Sequence, residues 1–198
     1  MVASHSPKYQ AILDAALEVF AQKGFYEAKV TEIASAAGVA DGTIYLYFKN
    51  KDDLLISLFE AKLEEINSGL RAELVGITNP RVGIERIIRY HLRRAGEQPS
   101  LTTFITVELR RSQKFMKRYA KAQLAEYLGQ WEAVIDAGKA AGIFRADVGT
   151  GILKNLLFGA LDHATMLWVN NPHRQRADLE VVGDHLIALI DRAVIVQS

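Results

Sequence analysis

The chain contains no cysteine. Disulfide frameworks and cysteine-based zinc sites are therefore excluded, a composition that fits a reducing compartment. Proline is scarce, at 4 of 198 residues, so long helices can run without interruption. No stretch approaches the roughly 18 uninterrupted apolar residues of a membrane span, and MVASHSPKYQ lacks the basic start and apolar run of a signal peptide. A cytoplasmic protein with no membrane association is expected. An excess of either charge is also missing: 24 Lys and Arg against 23 Asp and Glu leave a formal net charge of +1. Any nucleic-acid footprint must then be local. Catalytic signatures are lacking too. Neither G-x-S-x-G nor H-E-x-x-H occurs, and GTGILK at Gly149 to Lys154 has Lys154 where a dinucleotide loop needs its third glycine. Asp162 and His163 are adjacent, hence on different faces of a helix, and do not form a metal pair. A protein without catalytic residues, metal or cofactor is expected.

What is present is helical. Hydrophobic residues make up 49% and charged residues 24%, an ordinary globular balance. Ser6-Pro7 reads as a cap followed by proline at the first helical position, and Ile12, Ala15, Ala16, Val19 and Phe20 recur at helical spacing up to Gly24. Thr31 is placed to cap a second helix through Ala37, which Gly38 ends in a left-handed turn. A third short helix opens at Ala40 or Asp41 and runs through Phe48, too short to stand without packing of Ile44 and Phe48 on the other two. From Asp52 the pattern stays helical, with breaks near Gly76 to Pro80, Gly96 to Ser100, Gly142 to Thr150 and Asn170 to Asp178. The β-branched run TFITVEL reads as helix, because a lone strand would have no partner for its backbone. The expected fold is all-α, with a small helical domain over residues 1–52 and a larger helical domain over 53–198.

Two short helices joined by a glycine turn are the helix-turn-helix arrangement, whose second helix enters the DNA major groove. Gly42, Thr43, Tyr45 and Tyr47 fall on its outward side. Gly42 lets backbone approach the duplex, Thr43 offers a hydroxyl and a methyl to base edges, and the tyrosines can reach phosphate, sugar or thymine methyls. Lys49 and Lys51 add charge at the helix end. Placement must carry this contact: in the first 53 residues five lysines face seven carboxylates. The run VTEIASAAGVADGTIYLYFKNKDDLL, ending at Leu55, resembles the DNA-binding signature of TetR-family transcriptional repressors. The resemblance implies that Thr31 and Lys51 hold phosphates, Tyr47 packs on the backbone, and Gly42, Thr43 and Tyr45 face bases of a palindromic operator. Ala40-Asp41 departs from the commoner serine-lysine pair.

ADGTIYLYFKNKDDLLISLF, with ELRRS at Glu108 to Ser112 and FGALDHATMLWV at Phe158 to Val169, is similar to the branch of that family that represses fatty-acid degradation. In that branch the effector is long-chain acyl-CoA, a long apolar tail on a polyanionic head. Its receptor needs an apolar tunnel with cations at one mouth. Phe104, Ile105, Leu109, Tyr127, Leu128, Trp131, Phe158, Leu161 and Trp168 are candidate walls, with Asp162 a candidate polar contact. Arg110, Arg111, Lys114, Lys117, Arg118 and Lys121 make a local basic run for the head, or for DNA. Aromatics at this spacing also build ordinary core, and charge runs also form solvated faces. Apolar stripes at Leu153, Leu157, Ala160, Ala164 and Leu167, and at Val182, Leu186, Leu189 and Ala193, suit a four-helix homodimer interface. Three readings follow: a TetR-like repressor released by long-chain acyl-CoA, one sensing another lipophile, and a helical lipid-binding protein without DNA function.

Overall fold

Ser6 caps the first helix, its Oγ accepting from Tyr9 N–H at 3.1 Å, with Pro7 in the first turn. In the computed structural model, which describes residues 6–108 and 120–196, this helix is α1 (Pro7–Glu27), interrupted at Gly24 (φ 77°). There follow α2 (Val30–Ala36), α3 (Asp41–Tyr47), α4 (Lys51–Leu74), α5 (Pro80–Glu97) and α6 (Pro99–Thr103). A π-helical turn, Phe104–Glu108, extends α6, and α7 (Ala120–Ala140), α8 (Thr150–Asn170) and α9 (Arg176–Ala193) complete the described chain. The expected all-α class holds, and the β-branched TFITVEL run is helical where it is described. Among the described residues the only extended pairing is one bridge, Phe144 with Ile195.

The chain divides into two compact units, though not at the expected cut after residue 52. The first gathers α1 to α3, α4 as far as Glu64, and α6 from Ser100 with its π-helical turn. The second gathers α4 from Glu65, α5, and α7 to α9 from Ala122. Helix α4 is thus shared by both.

In the first unit Ile12, Leu13, Ala16 and Phe20 of α1 meet Ile33 and Ala34 of α2 and Ile44 of α3, with Phe48 just beyond; all are buried. Seven-residue helices are unstable in isolation, since nucleation costs more than so few bonds return. Complete burial of Ile44 and Phe48, about 1.5–3 kcal/mol each, offsets that cost for α3. Gly38, at φ 67°, supplies the left-handed turn between α2 and α3. The second unit is built around Ile84, Ile87 and Ile88 of α5, Trp131 and Ile135 of α7, and Leu153, Leu157 and Leu161 of α8. Helices α4 and α5 approach closely at Gly69, where a β-carbon would lie 2.3 Å from Tyr90 Oη. Tyr90 there donates to Ile66 O at 2.8 Å.

Candidate nucleic-acid interface and aromatic cluster

Helix α3 is amphipathic over only seven residues. Ile44 and the following Phe48 point into the unit, which turns Gly42, Tyr45 and Leu46 outward and leaves Thr43 and Tyr47 half-buried at the flanks. Tyr45 is 57% and Leu46 68% exposed, a large unsupported apolar surface for so short a helix. The sequence reading passed over Leu46. Its signal was available: it falls three residues after Thr43 and out of register with Ile44 and Phe48. No atom lies within 4 Å of a β-carbon built on Gly42, so its missing side chain is not required by packing within the protein. Tyr47 Oη accepts a hydrogen bond from Ser6 Oγ at 3.3 Å, and its ring borders Tyr9, which stacks on Phe48. Lys49 is exposed, while its backbone N–H donates to Asp53 Oδ2 at 2.8 Å.

One expected local role comes out differently. Thr31 is not the cap of α2; it lies exposed in the first turn, and Lys29 holds the cap position, its N–H donating to the Glu32 carboxylate at 3.1 Å. Lys51, expected to hold a phosphate, sits half-buried in the first turn of α4. Its ammonium donates to Phe25 O, Tyr26 O and Ala28 O at 2.8, 3.2 and 2.9 Å, and lies 4.7 Å from the Phe25 ring centre.

In the second unit, helical spacing brings Tyr127 and Trp131 of α7 onto one face, and Phe158 and Asp162 of α8 likewise. Helix α5 adds His91, which the sequence reading did not select because its neighbours Arg89, Arg93 and Arg94 make that stretch read as a solvated face. His91 Nδ1 is 3.0 Å from Tyr127 Oη, and its ring meets Trp131 and Phe158 edge-on, each at 6.2 Å. Trp131 in turn meets Tyr127 at 5.6 Å and Phe158 at 6.0 Å. Burial lowers the His91 pKa to about 4, with the Asp162 carboxylate pulling the other way, so the imidazole is neutral. Burial likewise raises the Tyr127 phenol, which stays protonated. The indole N–H of Trp131 approaches that phenol without reaching hydrogen-bond geometry.

The other expected walls are dispersed. Phe104 belongs to the first unit, fully buried and stacked on Phe20 at 6.3 Å. Trp168 closes the C-terminal turn of α8, its Nε1 donating to Gln175 O at 2.7 Å with Arg174 over the ring. Leu109, Arg110 and Arg111 lie outside the described residues, as do Lys114, Lys117 and Arg118. A groove of about 1080 Å³ between α4 and α5 is lined by Arg86, Arg93 and Arg94, but Arg86 and Arg93 already pair with Glu73. Its acids Glu65, Glu73 and Glu97 match its cations in number, which disfavours an anionic ligand. Among the described residues no group of acidic, histidine or cysteine side chains could hold a metal ion, and no helix is long and apolar enough to cross a membrane.

A turn glycine at positive φ, a short second helix with a bare outward face, and a separate helical unit with an aromatic interior define a helix-turn-helix regulator. The family model for bacterial regulatory proteins of the tetR family matches residues 12–58, and that for the C-terminal region of YsiA-like proteins matches 59–193. The chain belongs to the TetR family of DNA-binding transcriptional regulators. It is 32% identical over 184 residues to the fatty acid metabolism regulator protein of Bacillus subtilis, covering 93% of this chain and 94% of that one. Among solved structures it is similar to the regulator FadR of Bacillus subtilis in complex with stearoyl-CoA, at a TM-score of 0.86 and 30% identity over 93% of this chain and 98% of that one. The fatty acid degradation regulator FadR of Bacillus halodurans superposes with a TM-score of 0.85 at 32% identity, over the same shares. These relatives are transcriptional regulators, and the chain is a regulator of that kind, not an enzyme.

Proposed function

We propose that this regulator binds a palindromic operator as a homodimer, represses fatty-acid degradation genes, and leaves the operator on binding a long-chain acyl-CoA. The observation that carries the effector reading is similarity extending over both units to a regulator solved with stearoyl-CoA. The aromatic cluster supports it. His91 is ringed by Tyr127, Trp131 and Phe158 yet keeps part of its surface accessible, as a side chain bordering internal space would. Tyr127, Trp131 and Phe158 are the proposed walls for the acyl chain, Asp162 and His91 the polar groups beside it, and Arg110 and Arg111 the cations for the phosphates.

On the DNA side, Gly42, Thr43, Tyr45 and Leu46 would meet base edges, with Thr43 giving hydrogen bonds and Leu46 meeting thymine methyls. Thr31, Tyr47 and Lys49 would meet the backbone. Dimerisation brings two α3 helices to half-sites about 34 Å apart. The face for it is supported by exposed apolar residues: Ile152, Leu156 and Leu167 on α8, and Val181 and Leu189 on α9. The stripe differs from the expected one, because Leu153 and Leu157 are only 4% exposed and belong to the protomer's own core.

A second reading, a regulator of another lipophile, draws on His91, Tyr127 and Asp162, since a saturated chain offers these groups no hydrogen bond. One experiment separates the two. Small molecules are released from purified protein by denaturing extraction and identified by mass. Acyl-CoA, free fatty acid and CoA are then titrated against the protein on a duplex that it selects from a random library. The acyl-CoA reading expects acyl-CoA alone to release DNA fully. No release by any acyl-CoA, with protein folded and bound, refutes it.

A further inference from the structure

We infer that His163 and His185 form a proton-sensitive layer at the centre of the dimer face, so that mild acid loosens the dimer and with it the hold on a two-half-site operator. The inference rests on the proposed pairing of protomers through α8 and α9. At 100° per residue, Ile152, Leu156, Gly159, His163 and Leu167 of α8 fall within a strip about 80° wide, and Val181, His185 and Leu189 do the same on α9. All of them are exposed in the protomer, so each histidine has uncovered apolar residues on both sides along its own helix. Residues 171–175 turn the chain back, and the Phe144–Ile195 bridge joins the loop before α8 to the segment after α9, so the two helices run antiparallel. His163 stands seven residues before the end of α8 and His185 nine after the start of α9, which brings them to within about 3 Å of the same level.

This face is unlike a solvated one. Helix α8 exposes no charged residue, and His163 is its one exposed ionisable group. Nothing lies within 4 Å of a β-carbon built on Gly159, one turn before His163, which leaves room for a second copy to approach. The charged groups around the two histidines are directed elsewhere. Lys154 pairs with Glu132 of α7, Asp184 with Arg89 and Asp191 with Arg81 of α5, and Asp162 acts on His91. Asp178 accepts from Gln175 N–H at the start of α9, and Arg176 and Glu180 line the groove against α5. Arg192, seven residues beyond His185 on the same strip, adds a cation and so disfavours a second one. Pairing takes the imidazoles out of water between apolar layers, which also disfavours their charged form, and a twofold axis sets four of them in one interface. The dimer then binds fewer protons than the separated protomers. Association is strongest where histidine is neutral, and weakens as the pH falls through about 6.5.

Sedimentation equilibrium between about pH 7.5 and 5.5, with circular dichroism at each pH, reads the dimer dissociation constant of folded protein. Each imidazole kept neutral in the dimer raises that constant by up to about tenfold per pH unit below 6.5, so the wild type should show a rise of at least about tenfold over this range. The double variant His163→Gln, His185→Gln has nothing to titrate at these positions and should hold a nearly constant value. His91→Gln, which alters a group inside the protomer, should keep the wild-type response. Affinity for the library-selected duplex should fall with the dimer in the wild type and much less in the double variant. Leu156→Asp at about pH 7.5 tests the pairing itself: a dimer that persists there places the interface elsewhere and removes the premise. If Leu156→Asp dissociates the dimer while the wild type shows no pH response, or while the double variant responds as the wild type does, the pairing stands and the histidine inference is overturned.

Discussion

Lowering the pH should destabilise this protein through His91. The imidazole sits among Tyr127, Trp131 and Phe158 and protonates only at about 4 when folded, because burial disfavours the cation more than Asp162 favours it. Unfolded, it protonates at about 6.5. Above that value both states are neutral and the full stability is present. Between about 6.5 and 4 the unfolded state binds a proton that the folded state refuses, and stability falls by about 1.4 kcal/mol per pH unit, approaching 3 kcal/mol. Below the folded value the loss from this group levels off. Glu73 and Asp191, held below the usual carboxylate range by hydrogen bonds from Arg93 and Arg81, contribute their own losses only at lower pH. Urea unfolding at fixed protomer concentration, from about pH 8 to 4.5, measures the fall, and His91→Gln isolates it. The amide does not titrate and still offers Tyr127 a hydrogen-bond partner. The variant should lose some 2 kcal/mol of the wild-type pH dependence. Superimposable pH profiles for the two proteins would refute the assignment of a buried neutral imidazole.

Three further expectations concern packing and recognition. Leu156→Asp and Leu189→Asp replace residues 66% and 59% exposed in the protomer, so each should fold yet dissociate the proposed dimer; sedimentation at equilibrium, alongside circular dichroism, tests this. Gly69→Ala places a methyl against Tyr90 Oη and displaces it from Ile66 O, with an expected loss of about 1–3 kcal/mol in urea unfolding. Thr43→Ala should change which duplexes are recovered from a random library while leaving the salt slope intact, since a base contact is lost and not a phosphate contact.

The DNA-binding unit was readable from residue order because its determinants are local. A Ser6-Pro7 cap, a glycine that alone tolerates the positive φ at position 38, and the four-residue spacing of Ile44 and Phe48 act over neighbouring turns. These same signals set the all-α class and which side of α3 faces outward. Other outcomes depended on which remote segment came close. Lys51 reads as a solvated cation beside the recognition helix until α1 brings three carbonyls to it. His91 reads as part of an arginine-rich surface until α7 and α8 surround it with rings. Phe104 and Trp131 are both large buried aromatics, but one stacks on Phe20 in the first unit and the other anchors the second. On α8, Ile152 and Leu153 are equally apolar neighbours about 100° apart around the helix, and packing against α5 and α9 buries Leu153 and leaves Ile152 63% exposed. Hydrophobic spacing thus specifies that a helix has an inward face. Which residues occupy it, and which cations are already spent on the protein's own carbonyls, follows only from the neighbours that tertiary packing supplies.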